Sequence, residues 1–492
     1  MYPASILHHP LFFSCMLKES NSSPIKPSPR STTNAAQPHW SAPRPWQTNA
    51  TLILIGICLF LLSRQLVIEY TRFNIGFSGV SGWQAILYII AACIILTQPV
   101  DRFTLPIILI FATACRLPPL FHEPYLSSDI YRYVWDGIVQ HAHISPYRYV
   151  PGDPHLAFLT TGRNAGIFAH INRRDYAHTI YPPVAQALYY LITAISPTVT
   201  FMKIAMVLFE GITITALIVL LKFLGHRKEQ ILLYAWCPLL FWEVAGAGHL
   251  DSAAMAFIAL ALLARYHKLD TLTGAFLGIA ILLKFYPLIL LPALYRRGDW
   301  KMPATVAAVI ALAYAAYSSA GTLVFGFLTG YAKEEGLETG TRYFLLELTQ
   351  RLPGLQNLPI TAYYVFCAVV FAVILWWSWT TASQQGSAPA AFLRPAFALA
   401  TALMFLFSPH YPWYIIWLIP FFTLMPNLPI LTYLMAFFYL FTTALADPGP
   451  KMFLLNKILY GAVLLACIIH LITQRWHWHR RHFVQPASSE PI

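Results

Sequence analysis

Apolar residues recur along this chain in runs of helical length, with no strict alternation of apolar and polar positions. The runs predict helices at 51–68, 83–97, 105–120, 201–223, 231–245, 252–266, 303–319, 362–380, 395–407, 412–424, 429–445 and 453–472. Two shorter helices, 272–283 and 287–295, lie between them, and a further short one covers 184–196. Polar residues collect in the gaps. The pattern is that of an all-α integral membrane protein, a bundle of about 12–14 transmembrane helices with long loops at one face.

Composition agrees with this. The chain is 58% hydrophobic and 11% charged, against about 25% charged residues in a soluble domain. So few charges cannot solvate the surface of a 492-residue globule. Aromatics reach 15%, which suits rings placed half wet and half apolar at membrane interfaces. The net charge of +12 would suggest nucleic acid in a soluble protein. Here the basic residues read as cytoplasmic topology signals, and no nucleic-acid partner is expected. The seven Cys residues are scattered without paired spacing, so neither a disulfide framework nor a metal site is inferred.

Residues 1–50 differ in kind. The stretch from Lys18 to Trp46 is rich in Ser, Pro, Asn and Thr and reads as a disordered cytoplasmic tail. Residues 51–473 form the membrane domain, and 474–492 a basic cytoplasmic tail in which His477, His479 and His482 stand beside Arg475, Arg480 and Arg481. Lys and Arg also mark the loops 98–103, 225–230, 267–270 and 296–301, which places them and both termini inside; Arg64 and Arg72 are exceptions. Two long loops, 121–183 and 321–359, then fall outside, with a shorter one at 408–411. If 184–196 crossed the membrane, His226, Arg227 and Lys228 would face outward, so it reads as an interfacial or re-entrant helix.

The first long loop carries the most informative segment. At helical spacing Asp129, Arg132, Tyr133, Asp136 and Gln140 share one face, and Tyr131, Val134, Trp135, Ile138 and Ala142 the other. This is a short amphipathic helix suited to an interface. Ser127 or Ser128 can cap it, placing Asp129 at the positive end of the helix dipole. Transfer of a group from a phosphate to a hydroxyl needs a base for that hydroxyl and a positive group for the departing phosphate. Asp129 with Arg132 one turn away meets both needs, although a solvated polar face would produce the same spacing.

Further along, His249 and Asp251 stand at the end of a span, where an acid is costly and often functional but also serves as a cap. Lys284 sits at a helix junction broken by Pro287, fit either for a lipid phosphate or for snorkelling to headgroups. His410, Tyr411 and Trp413 suit a sugar site or an aromatic belt. Glu210, near the middle of a span, has no role from sequence beyond pairing with a neighbouring helix.

The run from Ser128 to Gly137, then Ser145-Pro146-Tyr147, Tyr181-Pro182-Pro183, Gly248-His249-Leu250-Asp251, Leu283-Lys284-Phe285-Tyr286-Pro287 and Ser408-Pro409-His410-Tyr411-Pro412-Trp413-Tyr414, resembles GT-C superfamily glycosyltransferases. The resemblance spans about residues 50–475 and is nearest to the polyprenyl-phosphate-mannose-dependent mannosyltransferase (GT87-like) type. It implies that Asp129 matches the family's catalytic Asp, the base of the reaction, and Asp136 is expected to support it. Candidate substrate contacts beside it are Arg132, Tyr133, Tyr181, His249, Asp251, Lys284, His410 and Trp413. The expected reaction moves a hexose, mannose by resemblance, from a polyprenyl-phosphate donor to a lipid-linked or cell-envelope glycan acceptor. It would run at the outer face of a bacterial inner membrane, among membrane lipids, without cofactor or metal. Some relatives carry two acids one residue apart in this loop, whereas Ser127 stands two before Asp129 here. A transporter or flippase of lipid-linked sugars is the alternative. It would concentrate polar residues at mid-membrane and show internal repeats, which this chain does not.

Overall fold

In the computed structural model, residues 44–73, 78–124, 126–384, 389–444 and 451–483 are described. Most of the expected N-terminal tail lies outside them, as do the side chains of His477, His479 and His482. The protein is all-helical, with no strand among the described residues.

Five helices are long and apolar enough to cross a membrane, Pro45–Ile68, Gly79–Thr97, Val199–Phe223, Ile360–Thr380 and Met452–Gln474. Two bent pairs would bring the number to seven, and six further apolar helices run for 10–17 residues. The expected 12–14 full spans therefore appear as a mixture of long helices and shorter, broken ones. The long helices carry exposed Leu54, Leu61, Val365, Val369, Val373 and Trp376, a surface that only lipid solvates well.

The broken stretches are where sequence reading idealised most. The expected span 231–245 is three short pieces: Leu232–Ala235, Pro238–Leu240 and the π-helix Phe241–Gly246. Pro238 has no N–H to continue the ladder. The expected span 412–424 is likewise a chain of short turns, Pro412–Tyr414, Ile416–Leu418 and Ile419–Leu424, interrupted at Pro412 and Pro420. The first stretch is buried throughout inside the bundle, and the second at every position except the half-buried Tyr414. Irregular backbone is tolerated at membrane depth only where protein shields it from lipid.

Glu210 has its partner. Its carboxylate takes Arg116 Nε at 2.8 Å and Nη2 at 2.9 Å, a bidentate pair between the helices Thr104–Leu120 and Val199–Phe223, with both side chains buried. Arg116 Nη1 donates to the carbonyls of Ala112 and Ala235, so the broken segment is tied to the same charge.

The helix Pro183–Ile195 has 13 residues. It is about 20 Å long at 1.5 Å per residue, short of a hydrocarbon core of about 30 Å. It packs against the helix Asp129–His141. That contact changes the picture of the Asp129 helix. A solvated polar face was one expectation, but every residue from Ile130 to Val139 is buried.

Candidate functional site

The Asp129–His141 helix begins beneath a cavity of about 570 Å³, within the usual range for ligand sites. The N-cap position is Ser128, whose side chain makes no capping bond to the helix; Ser127 Oγ, one residue earlier, accepts from the Asp129 N–H at 3.2 Å. Asp129 is half-buried and lines the cavity. Its Oδ1 accepts from the side-chain amide of Asn172 at 3.0 Å, and that amide also donates to Ser128 Oγ.

Of the other expected residues, Arg132, Tyr181, Lys284 and Trp413 line the same cavity. Five stand behind it or to one side. Asp136 is 1% exposed and receives Arg132 Nε at 2.7 Å, Thr179 Oγ1 at 2.6 Å and Gln186 Nε2 at 2.8 Å. It fixes Arg132, whose Nη1 donates to the Ala177 carbonyl. Tyr133 stacks on Tyr189 and meets Tyr181 edge-on. Burial, and then the charge of Asp129, hold its phenol well above the usual range, so it stays neutral.

Asp251 is fully buried behind Lys284, with Nζ 3.0 Å from Oδ2, while the Tyr286 hydroxyl donates to Oδ1. Lys284 therefore sits in a walled site with its own counter-charge. His249 is fully buried, faces Glu243 at 3.3 Å and stacks on Trp413 with centroids 4.3 Å apart. Trp413 stacks in turn on Tyr411, so the aromatic ring at the cavity has a rigid backing. His410 does not line the cavity; burial, and then Arg342, push its imidazole down to about 3. It is neutral across the physiological range.

The turn ahead of Asp251 depends on Gly248. Its φ is +71°, and a Cβ there would lie 2.3 Å from Ile130 Cδ1. The start of the Asp251 helix thus presses directly on the Asp129 helix, which explains how distant motifs share one site.

Several cavity residues were not singled out from sequence: Asn172, Arg173, Tyr331, Glu335 and Tyr414. Asn172 and Arg173 belong to a polar run in the first long loop that carries no helical period. Tyr331 and Glu335 come from the second long loop, where the helix Leu328–Glu334 forms a wall. The Tyr331 and Tyr414 hydroxyls bond to each other, and Glu335 pairs with Arg342.

The cavity's cations are already neutralised. Arg132 pairs with Asp136, Arg173 with Glu334, Lys284 with Asp251, and nearby Arg342 with Glu335. Among the described residues Asp129 has no cation within ion-pair distance. Asp129 is thus a cavity carboxylate held by the Asn172 amide rather than by a cation.

Residues 60–296 match a family described as alpha-(1->6)-mannopyranosyltransferase, N-terminal domain, the MptA_B family. The matched segment contains Asp129, Asn172, Asp251 and Lys284; Tyr331, Glu335 and Trp413 lie beyond it. No curated protein and no solved structure gives a significant match. Residues 60–296 thus match the N-terminal domain of this mannosyltransferase family, within an all-helical chain whose helices are apolar enough to cross a membrane, and the match supports a glycosyltransferase of the GT-C, GT87-like kind.

Proposed function

We propose that the protein transfers mannose from a polyprenyl-phosphate donor to the 6-hydroxyl of a glycan or lipid-linked acceptor at the outer face of a bacterial inner membrane, with Asp129 as general base. The observation that carries this reading is the carboxylate of Asp129, held by the Asn172 amide in a cavity whose cations are each paired. The family description supplies the sugar and the α-(1→6) linkage.

In this scheme Asp129 takes the proton of the acceptor hydroxyl as its oxygen attacks the anomeric carbon. The bond from that carbon to the phosphate oxygen breaks on the opposite side, inverting the centre. The departing polyprenyl phosphate carries the negative charge away, and Lys284, which lines the cavity, is the cation to receive it. Exposed Phe285 and Leu288 follow Lys284 directly, so an apolar surface on which a prenyl chain can lie leads from the phosphate position. Trp413 and Tyr411 offer a flat ring surface for the sugar. Asp136, Asp251 and His249 act through Arg132, Lys284 and Trp413.

The test is a transfer assay. Membranes containing the protein receive radiolabelled polyprenyl-phosphate mannose and, separately, the glucose and arabinose analogues. Label should pass to the acceptor from the mannose carrier. Transfer from a nucleotide-linked mannose but not from the lipid carrier would contradict the donor assignment.

A further inference from the structure

The two long loops that close the cavity are joined by one ion pair. Arg173, from the first loop, lines the cavity, and its Nε lies 2.6 Å from Glu334 Oε2 at the end of the helix Leu328–Glu334 in the second. The Tyr176 hydroxyl donates to the other Glu334 oxygen at 3.0 Å. Glu334 thus tethers a segment whose Phe327, Tyr331 and Glu335 form a wall of the site. That segment leaves the body of the protein at Gly326, φ +54°, where a Cβ would overlap the Thr179 carbonyl oxygen.

Three features of Arg173 mark it as more than a tether. Its φ is +53°, a conformation rare for a non-glycine residue and concentrated at functional sites. Its side chain and that of Glu334 remain 31% and 30% exposed, so their pairing is weak enough to exchange. It follows Asn172, which holds Asp129, and lines the same cavity as Asp129. A guanidinium also matches the oxygens of a phosphate in a bidentate way that a carboxylate must compete with.

We propose that Arg173 is an exchangeable cation: it pairs with Glu334 in this structure and turns to the donor's phosphate when the phosphosugar enters, releasing the helix Leu328–Glu334 from the first loop. The inference rests on the phosphosugar donor proposed above. Glu334 is then a competitor of the substrate.

Competition makes the two single variants act in opposite directions. Glu334→Gln should lower the KM for the polyprenyl-phosphate donor by about two- to fivefold, the scale of one partly exposed pair. Arg173→Gln should raise it roughly tenfold, Arg173→Lys less, and the double variant should behave like Arg173→Gln. A tether that only holds the loop in place would make both single variants worse. The assay is run in a phosphate-free detergent and again with anionic phosphatidylglycerol added. The opposite shifts should appear without the added lipid. Equal rises in KM, no shift in either variant, or an effect only with phosphatidylglycerol would overturn the proposal, the last by assigning Arg173 to bilayer headgroups. Wild-type transfer and its loss in Asp129→Asn, recorded alongside, keep the donor reading separate from the failure of this one.

Discussion

Asn172 donates its side-chain amide to Asp129 Oδ1 at 3.0 Å across 43 positions of the first long loop. The bond fixes one carboxylate oxygen, and in the proposed scheme the other takes the acceptor's proton. A hydrogen bond to a charged group contributes about 1.5–3 kcal/mol, so losing this one should lower kcat roughly ten- to a hundredfold. Asn172→Leu is predicted to do so, and Asn172→Gln to retain part of the rate. Initial rates at saturating donor, on variants inserted equally, check this.

Lys284 and Asp251 should behave as a unit. Lys284→Gln removes a cavity cation and strands a fully buried carboxylate, so it should raise the donor KM and also lower thermal stability. Lys284→Arg should keep part of the donor affinity. Lys284→Gln combined with Asp251→Asn should recover the melting temperature but not the KM. Thermal unfolding in detergent beside donor titrations separates the two effects; a double variant with normal KM would make Lys284 structural alone.

Arg116 and Glu210 lie away from the cavity, and their pair is buried and bidentate. Removing either partner should cost about 3–5 kcal/mol. Glu210→Leu or Arg116→Met alone should therefore melt much earlier than the native protein, and the two together should melt closer to it. Turnover per folded molecule should be kept in the double variant.

Orientation can be read from exposed loop positions. Arg163 in the first long loop and Lys228 in a basic loop are both exposed. In a Cys-free background, Arg163→Cys should react with an impermeant thiol reagent added outside intact cells, and Lys228→Cys only after permeabilisation. The reverse pattern would put the site on the cytoplasmic face.

Much of this arrangement was legible in the sequence, for physical reasons that differ by residue. The Asp129 helix was visible because polar and apolar positions separate at a helical period, and Lys284 because an unaccompanied charge stands out in an apolar chain. Periodicity could not reveal that the polar face is buried, because the helix Pro183–Ile195 covers it through a tertiary contact. Nor could it separate Asp129 from Asp136. Their difference lies in partners 43 to 50 positions away: Asn172 for the first, Thr179 and Gln186 for the second. Pro238 and Pro420 lie inside stretches read as continuous spans, and the burial that tolerates the breaks they make is a property of the assembled bundle. Arg173 and Glu334 carry no local signature, because their meaning comes from contact across 161 positions.

The account stands most directly on the turnover of Asp129→Asn. The replacement is nearly isosteric and its amide cannot accept the acceptor's proton, so the cavity and its ion pairs should persist while transfer stops. With variants matched for expression and insertion, transfer from polyprenyl-phosphate mannose should fall roughly a hundredfold or more, the scale of losing a positioned base. Wild-type turnover in Asp129→Asn would contradict the assignment of the base.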